Sequence, residues 1–469
     1  MRVAVVGGGW AGLAAAVEAT RLGHRVHVFE RAPALGGRAR RVHWTVEGRR
    51  VPIDNGQHVL IGAYRDTLGL MAAVGVDEAA VLQRLTLRIE YADGPAIRAP
   101  RWPAPLHLVA ALLGARGLPW PVRLDALRFA AWARAARWRL PADCTVDALL
   151  AARRADPRAV ALLWAPLCVA ALNTPAAQAS AQVFLNVLRD SLGAARSASD
   201  LLVPRADLSA LLPDAAGAWL LRHGAQVSLR ASVQQLRPAP PAAGGGPGRW
   251  CLPGASAEAF DAVVLATAAH DAASLLARAA DAVPPAPDAT GPSGTVSSLR
   301  GLEASAILTA WMLLPDGRHW DRPMWALRAD RPDSPAQWLF ARERQPDGRR
   351  LASAIVSAHV GPRGQADLAA RVLAQIGREL GHAARLPAAA VAPAHAPIKL
   401  ILEQQATFLC APALRRPGHA TGLAGVWLAG DYTDSPYPGT LETAVRSGRA
   451  AAGSLDAADR VPSAAAGGR

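Results

Sequence analysis

Three glycines near the start of the chain have the spacing that dinucleotide chemistry needs. Gly7-x-Gly9-x-x-Gly12 follows an apolar run, Val3 to Val6, and opens an alanine-rich segment. Gly7 then allows a tight turn, Gly9 lets a pyrophosphate approach the backbone, and Gly12 lets a helix pack close to a strand. The helix N-terminus offers free N–H groups and the positive end of its dipole to phosphate. A second strand, His24 to Glu30, alternates Val26 and Val28 and ends on a carboxylate. That acid lies about 20 residues past the glycines, where it reaches a ribose hydroxyl. A glycine-rich turn without a ligand is the plain alternative.

A second constellation lies at the far end. Val426 to Tyr432 reads as an apolar strand closing on Gly430-Asp431, followed by Pro438 to Glu442 and a helix from Thr443 to about Leu455. Asp431 can accept a hydrogen bond from a cofactor hydroxyl. The helix N-terminus near Thr440 to Glu442 can aim N–H groups at a flavin carbonyl. An NAD enzyme needs no such distant element, whereas a held isoalloxazine ring does, so the two ends together predict FAD. No cysteine lies in the closing motif, which predicts a non-covalent flavin.

These motifs need a scaffold, and 469 residues supply two or three domains' worth of core. The predicted class is α/β: a Rossmann-like FAD-binding domain built discontinuously from residues 1–65, 206–282 and 401–455. Residues 66–205 and 283–400 form a substrate domain of helices plus a mixed sheet, and 456–469 a disordered tail. Leu106 to Leu113 and Leu127 to Leu140 read as amphipathic helices that line a tunnel, rest on a membrane or pack in the core. Two short strands are expected within 217–236 and a buried strand at Asp261 to Thr267. Further strands are expected at Ile307 to Leu313, Gln337 to Ala341 and Ala352 to Ala358, then a helix over 364–380. Pro238 to Gly248 and residues 283–294 read as loop and linker.

The net charge of +14 is carried almost wholly by arginine, Lys399 being the single lysine, and hydrophobic residues make up 51%. No basic block interleaved with aromatics is present, so nucleic acid is not an expected partner. Scattered solvated arginines and a surface against anionic lipid both fit this balance. Four cysteines, far apart and without CxxC or metal-ligand spacing, read as reduced thiols of a cytoplasmic protein. The glycine motif interrupts the apolar start, which speaks against a signal peptide. No apolar run is long enough to cross a bilayer, which leaves peripheral contact at the inner face.

Gly7-Gly8-Gly9 with Glu30, Gly36-Gly37-Arg38 and Ala429-Gly430-Asp431 resemble the flavin amine oxidase and phytoene desaturase superfamily. The resemblance implies that Glu30 takes the adenosine ribose, Arg38 lies by the pyrophosphate and Val233 contacts adenine through its backbone. It also implies that Asp431 holds the ribityl–pyrophosphate segment, with Leu441 and Glu442 beginning the helix under the flavin. Asp54 to Tyr64, Trp164 to Pro175, Ala179 to Leu192 and Ser199 to Arg205 are similar to the hydroxysqualene dehydroxylase family, over residues 1 to about 455. That resemblance implies a polyprenyl lipid substrate and an electron donor that the sequence does not identify. The chemistry implied is loss of an allylic hydroxyl as water and quenching of the cation by hydride from reduced flavin, giving squalene in hopanoid biosynthesis.

Gln57 and His58 are the expected residues beside the reacting atoms. His58 is either the acid or a hydrogen-bonded structural histidine, and Asn173, Asp190 and Tyr64 are weaker candidates. Two departures stand out: Gln404 and Gln405 replace cationic residues of the family's Glu-Lys-Arg-Ala-Thr-Phe, and Thr443 replaces a glycine beside the flavin. An amine oxidase or carotenoid desaturase is the alternative enzyme. An aromatic pair among Tyr64, Tyr91, Tyr432 and Tyr437 would suit the former, and Lys399 holding a water would suit an oxidase. A flavin-binding lipid carrier is the non-enzymatic reading. No metal site is expected.

Overall fold

A computed structural model describes residues 1–240, 249–282, 292–329, 331, 333–360 and 366–459. Ten strands form its two large sheets: β1 (Arg2–Val6), β2 (Arg25–Glu30), β3 (Gln226–Leu229), β4 (Ala262–Leu265), β5 (Ala304–Leu314), β6 (Met324–Ala326), β7 (Trp338–Arg344), β8 (Arg350–His359), β9 (Ile398–Phe408) and β10 (Val426–Leu428). The helices that matter to the site are α1 (Trp10–Arg21), α2 (Arg65–Ala73), α3 (Leu106–Leu113), α4 (Trp120–Ala135), α5 (Ala165–Leu172), α6 (Ala181–Leu188), α7 (Ala366–Ala384) and α8 (Leu441–Asp459).

The first sheet is parallel, in the order β3-β2-β1-β4-β10. Val3 to Val6 and Ala262 to Leu265 are buried, so β1 and β4 read as continuous apolar runs, as central strands covered on both faces do. The turn into α1 is as tight as the glycines suggest. Gly7 sits at φ +110°, and a Cβ on Gly12 would lie 1.9 Å from the Gly7 carbonyl oxygen. α8 packs on α1 through Gly448, whose added Cβ would come 2.1 Å from the Ala11 oxygen.

The second sheet has the order β6-β7-β8-β5-β9, with antiparallel pairing throughout. A parallel bridge from Tyr91 to Ala326 at its edge makes it mixed. Period-two alternation divides its faces. Leu308, Ala310 and Met312 pack in one core with Leu368, Val372 and Ile376 of α7, while Ile307 and Thr309 face a cavity between the sheets.

The structure redraws four boundaries. The expected helix at 127–140 runs over Trp120–Ala135 and is stopped by Arg137 and Trp138 in the left-handed region. Only one of two expected strands within 217–236 forms, because residues 231–234 border the cavity instead. The last helix extends through Asp459, past the expected start of a disordered tail. The helix expected over 364–380 ends at Ala384. Most of the expected loop at 238–248 and linker at 283–294, and the chain beyond Asp459, lie outside the described residues. Among the described residues no helix is long and apolar enough to cross a membrane, and no acidic, histidine or cysteine cluster could hold a metal.

Candidate active site

One cavity of about 1300 Å³ runs from the glycine turn to the second sheet. Its first half is polar and built by backbone. Gly7, Gly9, Trp10 and Ala11 border it at the start of α1, where the first N–H groups of the helix have no carbonyl within it to bond. A Cβ on Gly9 would touch nothing closer than the Gly37 Cα at 3.8 Å, so a side chain there would stand in the cavity. This is the space an FAD pyrophosphate requires. Glu30 is buried beside it, its carboxylate oriented by the amides of Gly8 (2.6 Å) and Ala32 (2.7 Å). Each oxygen keeps a lone pair for a ribose hydroxyl. Val233 borders the same half, two residues after the Ala231 amide bonds the Glu30 carbonyl.

Arg38 joins the two distant motifs. Its guanidinium donates to Asp431 at 2.7 Å and to the carbonyls of Gln405 (2.8 Å) and Ala406 (2.7 Å). The Asp431 carboxylate raises its pKa further above the usual value. Both side chains border the cavity together with Gly37, Gly430, Leu441 and Glu442. The Glu442 carboxylate takes the Asp66 and Thr67 amides and the Thr67 hydroxyl, so it caps α2 at the same point where α8 begins. Burial pushes the Glu442 carboxyl up. The Thr443 hydroxyl turns to the Pro438 carbonyl at 2.8 Å, and Thr443 is buried outside the cavity lining. Gln404 and Gln405 are exposed; in that segment it is the backbone of Gln405 and Ala406 that serves the site.

The second half is apolar. Leu167 and Leu172 of α5, Phe184 and Leu188 of α6, Ile307 of β5 and Phe340 of β7 wall it, with few polar groups between. Gln57 and His58 lie at the junction of the halves. The Gln57 amide donates to the His58 carbonyl and accepts from Ser353. His58 Nδ1 lies 2.9 Å from the Gly56 carbonyl, which can only accept, so Nδ1 carries the proton and Nε2 is an acceptor. Burial lowers the His58 pKa and holds the ring neutral; the Gly56 carbonyl opposes this and Arg38 adds to it.

The weaker candidates are all in the wall. Asn173 ends α5 in the left-handed conformation and stitches Ser305, Thr407 and the Ala358 amide together. Tyr64 bonds Thr440, and burial pushes its phenol up to about 12. Asp190 is held by Arg189 and by the Tyr437 hydroxyl. Burial raises its pKa, and those hydrogen bonds outweigh burial and leave it low. Tyr432 and Tyr437 border the cavity, whereas Tyr91 and Lys399 do not. Lys399 stands opposite Trp311 in the β5–β9 register, away from the cavity lining where a lysine-held water would be needed.

Arg416 was not legible as a site residue. It donates to the carbonyls of Asp431, Tyr432, Ser435 and Tyr437 and so shapes the closing loop. It belongs to no motif, and its only signal is an Arg-Arg-Pro step, Arg415 to Pro417, shortly before the last strand. No cysteine borders the cavity among the described residues.

The chain matches the model of the family described as flavin containing amine oxidoreductase over residues 10–455. It is 29% identical to a hydroxysqualene dehydroxylase of Rhodopseudomonas palustris, covering 98% of this chain and 99% of that protein. It is 27% identical to a hydroxysqualene dehydroxylase of Sinorhizobium fredii, covering 96% and 97%. Among solved structures, an oxidoreductase from Methanosarcina mazei superposes with a TM-score of 0.67 at 15% identity, covering 96% of this chain and 99% of that one. With the glycine turn, the Arg38–Asp431 bridge and the shared cavity in place, the chain belongs to the flavin-containing amine oxidoreductase family and is an FAD-dependent oxidoreductase.

Proposed function

We propose that the protein removes the hydroxyl of hydroxysqualene to give squalene. The observation that carries this reading is the union, in one cavity, of a polar cofactor half and an apolar chamber walled by α5, α6, β5 and β7. At about 1300 Å³ the cavity exceeds the roughly 300–1,000 Å³ of drug-sized sites, which gives room for both a dinucleotide and a long hydrocarbon. The near full-length similarity to two hydroxysqualene dehydroxylases supports the same substrate.

FAD, bound without a covalent link and reduced by a donor yet to be identified, supplies hydride. With hydride from the reduced cofactor and a proton drawn ultimately from solvent, the substrate's allylic C–O bond would be exchanged for C–H and its hydroxyl would leave as water. Arg38, Asp431, Glu30 and the amides of α1 hold the cofactor. The leucines and phenylalanines of the chamber orient the chain and keep other water from the electron-poor carbon. A neutral His58, with Nε2 as acceptor, suits holding the substrate hydroxyl beside Gln57. A cytoplasmic location, at or near the inner membrane face, accords with a water-insoluble substrate.

The test is to incubate purified protein with FAD, a chemical reductant and hydroxysqualene and to measure squalene. Squalene formation is expected. No squalene, with flavin reduction by an amine or a carotene instead, would replace this reading by the oxidase or desaturase one. If His58→Ala retains near-full turnover with flavin bound, neither acid catalysis nor substrate holding belongs to His58.

A further inference from the structure

Six of the eleven large apolar side chains exposed on the described surface fall between residues 102 and 124. Leu106, Val109 and Leu113 share one face of α3, and Trp120 and Leu124 one face of α4; Trp102 stands just before them. Trp102 is 56% exposed, Leu106 55%, Trp120 58% and Leu124 53%. Isolated exposed leucines need no explanation, but a cluster of this kind marks a contact surface.

Along the segment that carries the cluster, the charge is almost all of one sign. Residues 101–140 contain seven arginines and a single acid, Asp125. Asp125 is buried and occupied by the Asp156 amide and the Trp164 indole. None of the seven arginines forms an ion pair among the described residues, although arginines elsewhere are widely paired. Arg123 stacks on Trp120 at 4.6 Å and donates to the Leu113 and Leu118 carbonyls, which ties α3 to α4. Paired amphipathic helices with tryptophan and leucine outward and unneutralised arginine beside them match the interface of an anionic bilayer.

From this we infer that α3, α4 and the segment leading into them form a lipid-docking surface that seats the protein on anionic membrane. The underside of this surface meets the cavity. His107 of α3 is buried and lies 3.3 Å from the Ser199 hydroxyl, and Ser199 is part of the cavity wall. The Ala99 amide bonds the carbonyl of Leu87, another wall residue. Passage of substrate from bilayer to chamber through this region rests on the function proposed above; docking itself does not.

Sedimentation of the FAD-loaded full chain with phosphatidylcholine vesicles, with and without phosphatidylglycerol, tests the inference. Binding is expected to the anionic vesicles and to weaken as salt rises. Trp102→Ser with Leu106→Ser and Trp120→Ser should lower the partition coefficient by about tenfold or more, since each removes apolar contact. Arg101→Gln with Arg116→Gln and Arg128→Gln should lower it by a similar factor and flatten the salt dependence. Flavin content and melting temperature should not move in either variant. Absence of vesicle binding by wild type, or undiminished binding by a still-folded apolar variant, would overturn the inference. A dimer that the apolar variant dissociates, without vesicle binding, would also overturn it and assign the face to a second copy of the chain. None of these readouts uses hydroxysqualene, so they stand or fall apart from the reaction.

Discussion

Arg38 and Asp431 are separated by 393 positions yet share a 2.7 Å ion pair at the cofactor end of the cavity. Arg38→Ala would leave Asp431, itself buried, without this partner. FAD affinity is expected to fall by roughly 10- to 100-fold, the range for losing a charge-assisted bond at a partly exposed site. Titration followed by flavin absorbance would check this, and unchanged affinity would refute it. Asp54 makes a different prediction. Burial pushes its carboxyl from an ordinary 3.8 up to about 7, against the Leu208 amide and Arg342. The folded protein then holds a proton that the unfolded chain has released, so this group's contribution to stability is lost as pH rises from 3.8 to about 7. Asp54→Asn should match wild type near pH 4 and exceed it at pH 8 by on the order of 2–4 kcal/mol. Urea melts at the two pH values test this; an equal gap at both would refute it. At this scale the glycines and Glu30 were legible because their requirements are local. The neutrality of His58 and the shifted Asp54 were not, because burial and partners from distant segments set them.

Elements converge at Asn173, where the end of α5 meets β5, β8 and β9. Its side-chain oxygen takes the Ala358 amide at 2.7 Å, and its amide donates to Ser305 and Thr407. Asn173→Ala strands a buried N–H and places alanine at φ 49°. A loss of about 2–4 kcal/mol is expected from the unmet bonds and the left-handed backbone; a shift in the denaturation midpoint worth under 1 kcal/mol would refute this reading. Strand and helix identities followed from periodicity in the sequence: β1, β4, β5, β8 and α3 carry clear apolar patterns. Their ends did not. The Arg137 and Trp138 conformations that stop α4 depend on packing, and residues 231–234 run past the cavity because a space must be bordered there, which no propensity encodes.

At the scale of the whole molecule, the cavity belongs to neither sheet alone. Filling its apolar half should affect catalysis and spare the cofactor. Ala171→Phe on α5 is expected to keep flavin content while lowering kcat/KM for hydroxysqualene by about tenfold or more. Loss of flavin along with activity would show that the two halves are not separable. A cofactor region and a separate apolar region were legible from the two terminal motifs and the leucine-rich middle, but their fusion into one space was not, since it depends on how β5 and α5 face each other.

The bridge between Arg38 and Asp431 also orders events in time. Ribosomes add residues at roughly 5–20 per second, N-terminus first, so the glycine turn emerges long before its partner. Until β10 and α8 arrive, the phosphate cradle has no Asp431 and α1 lacks the helix that packs on it. Flavin capture therefore waits for β10 and α8, and a nascent chain stalled before Val426 would stay flavin-free.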